Sequence, residues 1–176
     1  IRLSCVGLPS QRDEYWKYTN PADLIAEKPK ISSVAGQEDA NVFSDIDVLK
    51  VVFLNGIFNP ELSDDFSSKN ISISKLSDAD DLHWAQNYYG NLEKQGQSPV
   101  SRPLAALNTA IASDGALIHI KGNVDKPVLI LGLQNTPCEV VLHHVIKVDK
   151  DCSLTLLESG SFGTRLNTVM EVFLEQ

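Results

Sequence analysis

Few side chains in this 176-residue chain are of a type and spacing that could do chemistry. Zinc and iron–sulfur centres need several thiolates, or thiolates with imidazoles, converging on one point. Cys5, Cys138 and Cys152 are an odd, widely spaced set without a C-x-x-C pair, which fits neither a cluster cage nor a disulfide framework. They read as small buried apolar residues of a protein kept in a reducing cytoplasm. His143 and His144 are adjacent, and neighbouring side chains of a strand leave on opposite faces, so a regular strand cannot aim both at one ion. His144 falls on the apolar face and is expected inside; His143 is expected in solvent. His83 and His119 have no partner nearby in sequence.

Glu158, Glu171 and Glu175 could supply the paired carboxylates of glycoside hydrolysis, but on the polar faces of strands they read as solvated outer charge. The glycine-rich "GSFGT" (160–164) lacks the Gly-Lys-Ser/Thr ending of a phosphate loop and reads as a turn. No Gly-x-Ser-x-Gly elbow occurs. No catalytic, cofactor-binding or metal-ligating position is therefore assigned. The stretch "QRDEYWKYTNP" (11–21) sets Tyr15, Trp16 and Tyr18 among charges of both signs, a composition common where proteins grip partners. Ser10 as N-cap and Pro21 as stop make it a short helix ending near Thr19, with Trp16 and at least one tyrosine packed beneath the chain.

The elements that must position these residues follow from periodicity. A short turn is expected in "ADLIAE", and residues 27–47 read as loop. "LKVVFLNGIFNPELSD" is β-rich and broken by Asn55-Gly56, which tolerates the positive φ of a tight hairpin. "ISISKLS" (71–77) alternates as a strand does. Leu82, Ala85, Tyr89 and Leu92 fall at helical spacing, and "QGQSPVSRP" (95–103) reads as a linker. Leu104, Leu107 and Ile111 mark one face of a helix with Gly115 as its stop. Strands then follow without helices between them: "ALIHI", "PVLILGL", "CEVVLHHVIKVD", "CSLTLLESG" and "NTVMEVFLE". The chain thus divides into an α+β region with short helices and a hairpin (1–100) and a leading helix with strands (101–176). Regular strands of this kind mean sandwich, barrel or solenoid.

The apolar fraction of 43% supports a real core. A formal charge of −8, from 15 basic and 23 acidic residues, argues against nucleic acid and anionic membrane surfaces as partners. No apolar run approaches the roughly 20 residues of a membrane span. The chain opens on Ile1 and closes on the strand-like "TVMEVFLEQ", so it reads as part of a longer protein.

Several segments resemble the SufB/SufD family. "LPSQRDEYWKYTNP" (8–21) and "VFLNGIFNPELS" (52–63) are similar to its N-terminal motifs, and "PLAALNTAIASDGALIHI" (103–120) to its most distinctive stretch. "HHVIKVDKDCSLTLLESG" (143–160) and "LNTVMEVFLE" (166–175) continue in register, and "RDEYWKYT" points to the SufD branch. The resemblance implies a mainly β fold, the start of a right-handed parallel β-helix preceded by a small α/β region. It implies a non-enzymatic, cytoplasmic scaffold of iron–sulfur cluster assembly, with SufB and SufC as partners and no cofactor of its own in this portion. Val140, Leu142, His144, Ile146 and Val148 would then face inward, as would Thr168, Met170, Val172 and Leu174, with His143, Lys147, Asp149, Glu171 and Glu175 outward. An unpaired last rung over 166–175 is expected to fray or self-associate. From the residues alone, the alternative is a β-solenoid or β-sandwich domain of a small-molecule- or sugar-active enzyme.

Overall fold

The computed structural model describes residues 2–10, 16–26, 42–66, 69–79, 84–98 and 100–176. Asn55 and Gly56 both adopt left-handed φ (53° and 79°), closing a hairpin between β1 (Leu49–Leu54) and β2 (Ile57–Phe58). On its other side β1 runs parallel to β5 (Val128–Leu133), which runs parallel to β7 (Leu156–Gly160). A second sheet has β3 (Ile71–Lys75) antiparallel to β4 (Ala116–Ile120), then β6 (Glu139–Val148) and β8 (Arg165–Leu174) in parallel. The fold is mainly sheet, in two mixed sheets. From β4 onward the chain alternates between them, and Leu117, Val145 and Glu171 come to lie side by side on successive visits. Strands from residues 49–75 hydrogen-bond directly to strands from residues 116–133.

The core lies between the sheets, where Val51, Phe53, Val128 and Ile130 meet Ile118, Ile120, Leu142 and Ile146. Full burial of a side chain of this size contributes about 1.5–3 kcal/mol. Val140, Leu142, His144, Ile146 and Val148 face this core, as alternation requires. Their β8 partners extend the same face, but Val172 and Leu174 are 44% and 63% exposed, because β8 is the outer strand and has a neighbour on one side only.

The helices depart from the sequence expectation in instructive ways. Trp84–Asn87 is a 3₁₀ turn, and Gly90 at φ 70° separates it from α3 (Asn91–Gln95), so the helical spacing across this stretch is not one helix. Leu82 lies outside the described residues, as do Gln11–Tyr15 and most of the 27–47 loop. Trp16–Thr19 form a turn closed by the Thr19 N–H on the Trp16 carbonyl. Trp16 is half-buried, whereas Tyr18 is 90% exposed. Short α1 (Arg2–Val6), which the sequence had not suggested, contacts α4 (Pro103–Ile111), while α2 (Ala22–Ile25) occupies the expected turn. On α4 the buried residues are Pro103, Ala106 and Asn108 rather than the leucine face. Leu104, Leu107 and Ile111 instead line a shallow cavity of about 230 Å³ with Leu24, Val141 and Leu166. Small Ala106 lets the helix approach the sheet, and Asn108 is drawn inward by carbonyls described below.

Gly115 does not end α4, which stops at Ile111 with the Ala112 N–H on the Asn108 carbonyl. A Cβ on Gly115 would stand 1.9 Å from the His143 carbonyl oxygen, so β4 enters its sheet only because this residue has no side chain. Gly115→Ala is predicted to lower the stability by about 2 kcal/mol or more through backbone displacement, read as a lower urea midpoint.

Candidate functional site

The polar groups that the fold concentrates lie under the outer face of the β4–β6–β8 sheet. Val141 and Val145 share that face with His143, and a strand apolar on both sides must be covered on both. Over Val145 and His143 the cover is residues 84–95, and α4 lies over Val141. Ala85 packs on Leu117 and Val145, and aromatic rings settle on each strand in turn. Trp84 lies against His119 of β4 (5.2 Å between centroids), Tyr89 over His143 of β6 (4.1 Å) and Tyr88 against Phe173 of β8 (4.6 Å).

Beneath the cover, Glu171 is 2% exposed and His143 is fully buried. Glu171 Oε2 accepts from His143 Nε2 (2.8 Å) and from the Gly90 N–H (2.5 Å), and Oε1 accepts from the Glu93 N–H (2.8 Å). On the other side of the ring, His143 Nδ1 stands 3.0 Å from Asn108 Oδ1. Asn108 Nδ2 donates to the carbonyls of Leu142 (2.9 Å) and Asn167 (2.8 Å), which fixes Oδ1 as the atom facing His143. Both ring nitrogens therefore face acceptors, and both must donate. The result is a buried imidazolium–carboxylate pair. Burial pushes the Glu171 carboxyl upward, but the His143 hydrogen bond, the Glu93 and Gly90 N–H groups and the imidazolium charge outweigh it, leaving it below the ordinary carboxylate value.

Two sequence expectations are corrected here. His143 is not in solvent, and Glu171 is not solvated outer charge, because the cover closes this face. His144, on the core side, is buried as expected. Its Nδ1 accepts from the Ala116 N–H (2.9 Å), so Nε2 carries the proton, and that group has no hydrogen-bond partner among the described residues. Burial, with the His143 charge beside it, lowers the His144 pKa to about 4, keeping it neutral. Among the described residues no three His, Cys, Asp or Glu side chains converge as metal ligands.

The remaining candidates scatter. His119, without a visible partner in sequence, meets Asp149 at 2.7 Å, and Lys147 bridges Asp149 (3.1 Å) and Glu175 (2.7 Å). The His119 hydrogen bond in particular holds the Asp149 carboxyl below its usual value. Glu158 is exposed on the other sheet, apart from both Glu171 and Glu175. His83 lies outside the described residues. Cys5 is exposed; Cys138 and Cys152 are half-buried against the core, and burial pushes the Cys138 thiol up, away from the reactive thiolate. "GSFGT" is the turn from β7 to β8, and it sends Phe162 into the core against Gly132. A groove of about 340 Å³ between α3, α4 and β8 reaches Glu171, but both carboxylate oxygens are already engaged. The arrangement anchors the cover to the sheet.

The signals that could have revealed the site were present in weak form: valines flanking His143 on its own face, and Asn108 within an apolar helix. Its partners Gly90 and Glu93 are some eighty residues from Glu171, at separations of 81 and 78, beyond any local pattern.

Glu171→Gln keeps the shape but can accept on one side only, leaving the imidazolium uncompensated. It is expected to cost about 3 kcal/mol or more in urea unfolding. A second prediction concerns pH. His144 has a folded pKa below its unfolded one, so its contribution to stability is complete above about 6.5 and is lost as pH falls toward about 4. Stability should fall by up to ~1.4 kcal/mol per pH unit across that window, and His144→Gln should flatten the slope there.

The family model of the SufBD protein N-terminal region matches residues 2–130. An iron–sulfur cluster assembly SufBD family protein of Synechocystis sp. is 29% identical over 176 aligned positions, which cover 92% of this chain and 38% of that protein. The chain thus spans well under half the length of that relative.

Proposed function

The chain belongs to the SufBD family, and on that premise we propose that it is the N-terminal portion of a SufD-type scaffold subunit of iron–sulfur cluster assembly. The observation that carries this is the family match over residues 2–130, which includes the 103–120 stretch. The "RDEYWKYT" element supports the SufD branch. In this reading the complete protein works in the cytoplasm with SufB and SufC, without catalysing a reaction itself.

The alternation of β4 to β8 between two sheets, with parallel pairing at each return, supports a β-helix whose first turns lie here. Parallel crossovers of this kind are right-handed in nearly all proteins, which supports that hand. Stacked turns of such a coil give a rigid wall on which a partner subunit can be held in register. The residues of this portion contribute that wall. Its buried His143–Glu171 pair serves to hold the cover on the coil rather than to bind iron.

The complete protein, mixed with SufB and SufC, is predicted to co-elute with both in size-exclusion chromatography. Elution as a separate species under conditions where SufB and SufC associate would contradict the proposal.

A further inference from the structure

Both sheets end, on the side away from β7 and β8, in antiparallel strands: β2 in one and β3 in the other. Among the described residues, each of these outer strands has one side without a strand partner. For β3 the ladder shows which groups these are. The Leu76 N–H donates to the Gly115 carbonyl, and the Asn70 carbonyl accepts from the Lys121 N–H. Even-numbered residues therefore face β4, and the backbone N–H and C=O of Ile71 and Ile73 and the N–H of Lys75 point the other way, while the Lys75 carbonyl caps the 3₁₀ turn Leu76–Asp78.

Beside this edge lies a groove of about 620 Å³. Phe58, Phe66 and Ile73 give it an apolar floor, each half-buried and packed on the core. Asp64, Asp65 and Asp78 give it an acidic rim, and Lys75, the basic residue of the lining, is paired with Asp78 at 3.2 Å.

We propose that this groove and the β3 edge form a docking site for an extended segment of a partner protein, one with an apolar side chain flanked by Lys or Arg. The segment adds to β3 as a strand, its main chain meeting the N–H and C=O of Ile73 and the N–H of Lys75, and its apolar side chain entering the groove. Charge decides between occupants. A second copy of this chain would bring the same carboxylates together, in a chain whose formal charge is −8, whereas a basic segment neutralises the rim. The site lies at the opposite end of the sheets from β8 and is independent of the family assignment.

The test uses the 176-residue chain and a capped heptapeptide of alternating lysine and valine, followed by amide NMR and hydrogen exchange. The expected result is saturable binding that slows exchange of the Ile73 and Lys75 amides by about tenfold or more. A triple variant, Asp64→Asn, Asp65→Asn and Asp78→Asn, keeps each side chain's shape and should weaken binding by about tenfold, ~1.4 kcal/mol. A control peptide with proline in place of valine has equal charge but lacks alternate N–H groups, and it should not protect those amides. Equal binding of both peptides would reduce the effect to charge attraction and overturn the proposal. So would unchanged exchange at Ile73 and Lys75, or concentration-dependent self-pairing of the chain along β3.

Discussion

A carboxylate only 2% exposed holds three parts of this protein in one arrangement. Glu171 comes from β8, His143 from β6, and the Gly90 and Glu93 N–H groups from the cover. Asn108 of α4 completes the set through the other side of the imidazole. The carboxylate and the imidazole draw hydrogen bonds from the cover, the sheet and the helix, so the three are held together. A hydrophobic contact tolerates sliding, whereas a charge with three fixed donors does not. The pair ties residues 84–95 to β6 and β8, whose register their ten-residue ladder already sets.

Two further constraints work with that pair. Gly115 lets β4 pass against the His143 backbone, where a side chain would collide with the His143 carbonyl. Gly132 leaves room for Phe162 in the core, so the turn after β7 is packed rather than loose. His144 sits back to back with the charged His143 and stays neutral, its Nδ1 tied to the Ala116 N–H. The two adjacent histidines thus carry different charge states on opposite faces of one strand. Both imidazoles of the most conspicuous pair in the sequence are buried within the fold itself.

Much of the sheet was legible in the sequence, because its signals are local. Asn55-Gly56 names its hairpin, and the alternation of Val140 through Val148 names the inner face. Asn108, Gly90 and Glu171 were illegible for the opposite reason. Their roles depend on partners far along the chain, and strand alternation alone places His143 and Glu171 outside. Alternation distinguishes two faces but not whether the second is covered, and here Val141 and Val145 require that it is. The helical spacing through Ala85 and Tyr89 was real but reports aromatic residues that meet successive strands, interrupted by Gly90 in the left-handed region. Motifs such as "ALNTAIASDGA" led to the family where periodicity could not choose between sandwich, barrel and solenoid.

The most direct test of the account is whether His143 and Glu171 act as one charged unit. A double-mutant cycle with His143→Gln, Glu171→Gln and the combined variant measures their coupling in urea unfolding. A buried imidazolium–carboxylate pair predicts strong non-additivity, a coupling energy of about 2 kcal/mol or more. Additivity within about 0.5 kcal/mol would contradict it, and would show that the two side chains stabilise the cover separately.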